Sequence, residues 1–122
     1  MVAQLPGRPS AKIMLVFYRS ASGNEPVRDW LIDLPDASRI AVGQDLMRVQ
    51  WRWPVGMPLV RPLGGGLHEV RSSLPDGTIA RVLFCFRDGE LYALHGFIKK
   101  TGQTPKSDID VALRRKKEVD HD

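Results

Sequence analysis

The sequence predicts a single α/β domain of the α+β type, with the element order β-α-α-β-β-β-α. Its 122 residues provide enough chain for one hydrophobic core. An apolar run near the start precedes two segments whose apolar residues recur at helical spacing. In the second half, two apolar runs flank Asp88-Gly89, a dipeptide that favours the tight turn between antiparallel strands. We expect the two helices to pack on one face of a mainly antiparallel sheet.

The N-terminal segment, Met1 to Lys12, contains Pro and Gly but no long apolar stretch. We interpret it as a flexible leader without a secretory signal. The run that follows, Ile13 to Tyr18, is continuously apolar and rich in β-branched and aromatic residues. Such a run is typical of a central strand covered on both faces.

Two helices are expected next, separated by Pro35. The first covers residues 25–34 and takes Asn24 as its N-cap, with a proline in the first turn, where its missing N–H is tolerated. The second covers residues 37–53 and takes Asp36 as its cap. We interpret the tryptophans of both helices as core residues rather than as base-stacking ones.

The second half predicts a connector, a three-stranded antiparallel meander and a last helix. The connector, Pro54 to Gly66, is rich in Pro and Gly. The first strand of the meander is Leu67 to Arg71, and Ser72 to Thr78 forms the turn after it. The helix runs from Lys106 to about Glu118, and its basic end complements the helix dipole.

The strand register decides which charged side chains meet. A two-residue turn at Asp88-Gly89 pairs Arg81 with Gly96, which would leave space for the guanidinium group. The same register places His95 among apolar residues, so we prefer a hydrogen-bonded core histidine at that position. Arg71 shares the face of Arg81 only if the turn between them, within Ser72 to Thr78, closes with an odd number of residues, for example Pro75-Asp76-Gly77. The sequence leaves this parity open.

Composition excludes several classes of protein. The hydrophobic share of 43% and the charged share of 26% are those of a globular domain. A single cysteine, Cys85, allows no internal disulfide, which fits a cytoplasmic location. No apolar run has membrane-spanning length. The three histidines show no ligand spacing, so we expect neither a metal nor a small-molecule cofactor.

Charged side chains lie in or beside strands that are otherwise apolar. Such positions are costly for charges without partners. The net charge of +4 permits a nucleic-acid partner but does not require one. A set of cations on one sheet suggests a polyanion site. Charged or titratable side chains in or beside these strands include Glu69, Arg71, Arg81, His95, Lys99 and Lys100.

Two motifs carry a family resemblance. They read G-L-H-E-V-R over residues 66–71 and L-H-G-F-I-K-K-T-G-Q-T-P over residues 94–105. With them, the chain from about Val16 to Glu118 resembles the HigB-like branch of the RelE toxin superfamily, a group that includes phage-derived host-addiction proteins. Three positions depart from that pattern, namely His68 in place of an aromatic residue, Gly96 in place of alanine and Gln103 in place of lysine.

The resemblance implies a RelE-like fold with a curved, mainly antiparallel sheet. It also implies ribosome-dependent mRNA cleavage by a toxin that a helix-turn-helix, HigA-like antitoxin holds inactive. The implied catalytic residues are Glu69, Arg71, Arg81, His95, Lys99 and Lys100. The candidate RNA-binding residues are Arg61, His68, Phe97, Arg114 and Arg115.

Metal-free RNA cleavage by the 2′-OH needs a base, cations for the phosphate and an acid for the leaving oxygen. Arg71 and Arg81 suit the phosphate because a guanidinium offers two parallel donors. Lys99 or Lys100 would stabilise transition-state charge. Glu69 is either the base or a partner that holds the arginines in place. The acid stays unassigned.

Two alternatives to the toxin hypothesis remain. The first is a non-catalytic module on the same fold that binds RNA or protein, such as a decayed toxin or a phage accessory factor. The second is an interaction domain whose sheet is covered by a constitutive partner.

Overall fold

The computed structural model describes residues 12–100 and 102–121. Of the predicted leader, Met1 to Lys12, only Lys12 lies within this part of the chain, where it is exposed and outside any helix or strand. The strands are β1 (Leu15–Phe17), β2 (Val60–Gly64), β3 (Leu67–Ser73), β4 (Ile79–Arg87) and β5 (Glu90–Lys99), and the helices are α1 (Pro26–Asp33), α2 (Asp36–Arg52) and α3 (Lys106–Asp120).

The five strands form one open sheet in the order β1-β5-β4-β3-β2. Strands β2 to β5 are antiparallel neighbours, and β1 pairs with β5 in parallel. This mixed, mostly antiparallel sheet with three helices confirms the predicted fold class.

Helices cover both faces of the sheet. On one face, α1 and α2 pack with Val70, Val82 and Phe84 into the larger core, as predicted for the two N-terminal helices. On the other face, α3 packs with Leu67 and Leu83 into a second core. The alternation of strand residues therefore separates a side that faces α1 and α2 from a side that faces α3.

The number and positions of the strands were predicted only in part. The prediction of a central first strand was wrong, because β1 has three partly buried residues and lies at the edge of the sheet. The connector prediction was wrong too, because residues 60–64 form the edge strand β2. Edge strands tolerate the proline at position 62, which lacks a donor for a neighbouring strand.

The predicted helix caps were also wrong. Helix α1 begins after Glu25, and the side chain of Asn24 donates instead to Ser22. Pro35 occupies the N-cap position of α2, so Asp36 lies inside the helix and pairs with Arg39 at 2.6 Å. The helices themselves form where the apolar spacing predicted them.

The predicted β4–β5 register holds near the turn and then shifts by one residue. Phe84 pairs with Ala93 as expected, but Leu83 pairs with His95, so Leu94 is an extra residue in β5. Such a β-bulge moves every later residue of the strand to the other face. Gly96 therefore lies opposite Val82 rather than Arg81, on the side of α1 and α2.

Helix α2 also exposes an apolar row. Ile40, Met47 and Trp51 keep 57%, 48% and 45% of their surfaces exposed. Their spacing of seven and four residues places them along one side of the helix, opposite the buried side formed by Val42 and Val49. Among the described residues, no helix is both long enough and apolar enough to cross a membrane.

Candidate functional site

The candidate site lies on the α3 side of the sheet, near the N-terminus of α3. Leu74 N–H donates to Thr78 O, which closes a three-residue loop, so the odd parity left open by the sequence is the one found. Arg71 consequently pairs directly with Arg81, and Arg81 pairs with Phe97 on the next strand. These three side chains therefore share one face.

A buried ionic cluster forms the floor of this site. Glu69 and Arg81 both have side chains that are 0% exposed, and their charged atoms are 3.9 Å apart. The hydroxyl of Thr104 joins them, because it donates to Glu69 Oε2 and accepts from Arg81 Nη1 at 3.4 Å. Arg81 Nη2 also donates to the carbonyl of Gly102 at 2.9 Å. The segment before α3 is thus tied to the sheet through these two charges.

The cluster is only partly satisfied. Within residues 12–100 and 102–121, Glu69 Oε1 and Arg81 Nε are the buried side-chain polar atoms without a hydrogen-bond partner. The two charges consequently depend on each other, since removing Glu69 would take away the carboxylate beside the buried Arg81, and removing Arg81 would leave Glu69 with Arg71 as its charged neighbour. Glu69 and Arg81 lack the exposure that direct contact with RNA requires in this conformation.

The cations at the rim are more accessible. The Arg71 side chain is 25% exposed, and its Nε lies 3.8 Å from Glu69 Oε1. Lys99 is on the same face as Arg71 and Arg81, and its Nζ donates to the Gln103 carbonyl at 3.2 Å. Lys100 follows the end of β5 and is exposed. Arg71 and Lys99 form the positively charged border of the site, and Lys100 follows Lys99 along the chain.

His95 lies next to this border as a consequence of the β-bulge. The preference for a core histidine among Val82 and Phe84 was wrong, because the extra residue turns the imidazole toward α3. His95 Nε2 lies 2.7 Å from Asp108 Oδ1, in the first turn of α3. The ring also stacks on Phe97, with centroids 5.6 Å apart.

Two of the predicted RNA-binding residues, His68 and Arg115, make contacts within the protein. His68 lies on the opposite face of the sheet, where its ring contacts Trp53 and Phe84. Burial lowers the pKa of His68 from its ordinary value, so the neutral ring is favoured there. Arg115 donates to the Leu94 carbonyl at 2.8 Å, and burial lowers its pKa.

Two more of the predicted RNA-binding residues, Arg61 and Arg114, lie in different parts of the structure. Arg61 pairs with Glu69 across β2 and β3, so it lies on the site's face and is partly buried. Arg114 is exposed further along α3, beside a shallow pocket formed with Gly65 and Lys117. The structure therefore brings Arg61 near the candidate site and leaves Arg114 apart from it.

Three contributing groups were not identified from the sequence. They are the Gly102 carbonyl, the Thr104 hydroxyl and the Asp108 carboxylate. Thr104 belongs to the T-P pair that precedes a helix, and an acidic residue early in a helix is a common start signal. Those signals predicted the beginning of α3, but they did not show that it lies against β3, β4 and β5.

The site combines three elements of phosphate-ester chemistry. It has accessible cations, a partly exposed histidine that can exchange a proton, and buried charges that hold the segment leading into α3. In the described part of the chain, no group of three or more His, Cys, Asp or Glu side chains is placed to hold a metal ion.

Comparisons with known proteins place the chain in one family. The sequence model of the family described as phage derived protein Gp49-like (DUF891) matches residues 29–117, which include every strand except β1 and nearly all of α3. No curated protein matches the chain.

Proposed function

Because the chain belongs to the Gp49-like family of phage-derived proteins, which is associated with the RelE-like toxins of toxin–antitoxin systems, we propose that it is a HigB-like toxin that cleaves mRNA on the ribosome. The observation that carries the proposal is the placement of Arg71, Lys99 and His95 on one face of the sheet. These side chains come from two strands, β3 and β5, that are separated in sequence.

The cleavage proposed here is an attack by the ribose 2′-OH on the adjacent phosphate. Arg71 and Lys99, with Lys100 at the rim, would stabilise the charge that grows on the phosphate oxygens. Groups that are held in fixed positions around this charge stabilise the transition state more than they stabilise the ground state. We assign Phe97 to supporting the His95 ring rather than to stacking on a base, because it packs on that ring.

Arg81 and Glu69 take a positioning role in this proposal. Both are fully buried, and both hold the segment that leads into α3. Of the two roles that the sequence left open for Glu69, the structure favours the one in which it holds the arginines. The proposal therefore places the chemistry on the accessible groups above this cluster.

An antitoxin partner belongs to the proposal as well. The exposed row of Ile40, Met47 and Trp51 supports a protein partner, because exposed apolar patches are typical of protein contacts. Arg48 and Arg52 follow one border of this row. We therefore assign the row to an amphipathic helix with an acidic border, supplied by a helix-turn-helix, HigA-like antitoxin.

The test is mRNA cleavage in a translating extract, read at nucleotide resolution. The wild-type protein should cut a reporter mRNA only while it is translated. Arg71→Ala and Lys99→Ala should each reduce cleavage by about 100-fold, the loss found for a missing transition-state donor. Arg28→Ala is the matched control, since Arg28 is an exposed cation on α1 and should leave cleavage unchanged. A wild-type protein that is folded but leaves translated mRNA intact would refute the proposal.

The complete burial of Glu69 and Arg81 also favours a second candidate function, a non-catalytic RNA-binding module. Such a module would bind RNA with an affinity that falls as salt rises, and it would leave the strand intact. The same cleavage gel, run beside a binding titration at two salt concentrations, separates these functions.

A further inference from the structure

Two groups at the site have the chemistry of a general base, and they differ in access. The Glu69 carboxylate is 0% exposed, and its Oε2 accepts the Thr104 hydroxyl. The His95 side chain is 18% exposed at the edge of the same site. A base must come within hydrogen-bonding distance of the proton that it removes, so access favours His95.

The two ring nitrogens of His95 have different surroundings. Nε2 lies 2.7 Å from Asp108 Oδ1. Nδ1 has no hydrogen-bond partner within the described residues, and it is not among the buried polar atoms that lack one there. Nδ1 is therefore the ring nitrogen that the contacts of the described residues leave for a substrate.

The Asp108 carboxylate is held where it can select the protonation pattern of this ring. A carboxylate only accepts hydrogen bonds, so the neutral imidazole beside it carries its proton on Nε2 and leaves a lone pair on Nδ1. Phe97 stacks on the ring at 5.6 Å and restrains its plane. Asp108 is in the first turn of α3, whose start is tied to the sheet through Thr104.

We propose that Asp108 is a positioning residue that holds His95 in the Nε2–H form, so that His95 Nδ1 acts as the general base toward the 2′-OH. This inference rests on the proposed endoribonuclease function. In the step, Nδ1 takes the 2′-hydroxyl proton, O2′ bonds to phosphorus, and the bond from phosphorus to O5′ breaks. Water protonates O5′ and the imidazolium returns its proton to solvent, which leaves a 2′,3′-cyclic phosphate and a 5′-hydroxyl.

The first experiment reads the protonation pattern directly in the whole chain. Nitrogen-15 NMR of the His95 ring, under conditions in which the ring is neutral, should show the Nε2–H form in the wild type. Asp108→Asn should shift it toward the Nδ1–H form, because the amide can donate to Nε2. Asp110→Asn is the matched control, since Asp110 lies on the same helix and pairs with exposed Lys106. An Nδ1–H ring in the wild type, or an unchanged ring in a folded Asp108→Asn variant, would overturn the proposal.

The second experiment measures cleavage in the translating extract. His95→Ala should lose about 100-fold or more, the range of a missing general base. Asp108→Asn should lose at least about tenfold, since it weakens the same base. The double variant should be no slower than His95→Ala alone, because both changes act through one group. Losses that multiply in the double variant would show that Asp108 acts independently of His95.

The two readouts separate this inference from the function on which it rests. A wild-type protein without cleavage refutes the proposed function, and the NMR result still decides whether Asp108 selects the ring form of His95. A protein that cleaves, with His95→Ala as active as the wild type, refutes the inference and leaves the function in place.

Discussion

Replacing Gly96 by alanine tests the packing of α1 on the sheet. A Cβ atom at this position would lie 2.5 Å from Trp30 Cε3 and 2.6 Å from Cζ3. Carbon atoms in contact normally stay about 3.5–4.0 Å apart. The indole ring of Trp30 must therefore move by roughly an ångström, together with α1 or with β5.

The size of the effect follows from two opposing terms. Overpacking of this kind costs about 1–3 kcal/mol. Removing a glycine from a strand returns roughly 0.5–1 kcal/mol, because the unfolded chain loses conformational freedom. The difference between these two terms is about 0–2.5 kcal/mol. Because the overlap with Trp30 is large, we expect the free energy of unfolding to fall by about 1–2 kcal/mol, which lowers Tm by about 4–8 °C for a domain of this size.

Urea unfolding followed by circular dichroism measures this change. Gly43→Ala in α2 is the matched control, because its new Cβ meets nothing within 4 Å and should stabilise the helix by about 0.5–1 kcal/mol. Trp30→Phe removes the two clashing atoms, so Gly96→Ala should lose most of its cost in that background. A Gly96→Ala protein as stable as the wild type would show that the indole does not lie over Gly96.

Three further predictions concern other parts of the molecule. Arg81→Ala should lower the free energy of unfolding by about 3–5 kcal/mol, measured in urea, because it removes the buried cation beside Glu69. Adding Glu69→Gln to that variant should recover part of the loss. Burial lowers the pKa of His68, so the unfolded chain binds more protons and stability should fall as pH drops below about 6.5; the His68→Phe protein should show a flatter dependence. Met47→Glu and Trp51→Glu should each weaken binding of the proposed helix-turn-helix antitoxin by tenfold or more, measured by calorimetry, without loss of fold; unchanged affinity in both would exclude the α2 row as the contact.

The sequence predicted the parts of the fold that have strong local signals. Apolar periodicity identified all three helices, and Asp88-Gly89 identified the β4–β5 turn. Asp88 has a φ of 50° and Gly89 a φ of 80°, which is the conformation that this dipeptide accommodates. The apolar run near the start also predicted β1 as a strand, but its place at the edge of the sheet depends on pairing with β5. Strand β2 carries no such local signal, and its place depends on pairing with β3.

The site was predicted less completely because its geometry depends on distant contacts. The grouping of Arg71 with Arg81 required only an odd loop, and the sequence contained a three-residue candidate for it. The position of His95 depends on a β-bulge in β5, and no turn residue in the sequence predicts that bulge. The role of Asp108 required knowing that α3 crosses the sheet at β5, which is a tertiary contact and has no local sequence signal.

The extra residue at Leu94 can be removed without changing which side chains share a face. Deleting its codon would join Ala93, opposite Phe84, directly to His95, opposite Leu83, so β5 would pair with β4 without a bulge and His95 would stay on the α3 side. A descendant of this gene could in that way lose the irregularity in a single genetic event and keep its cationic face.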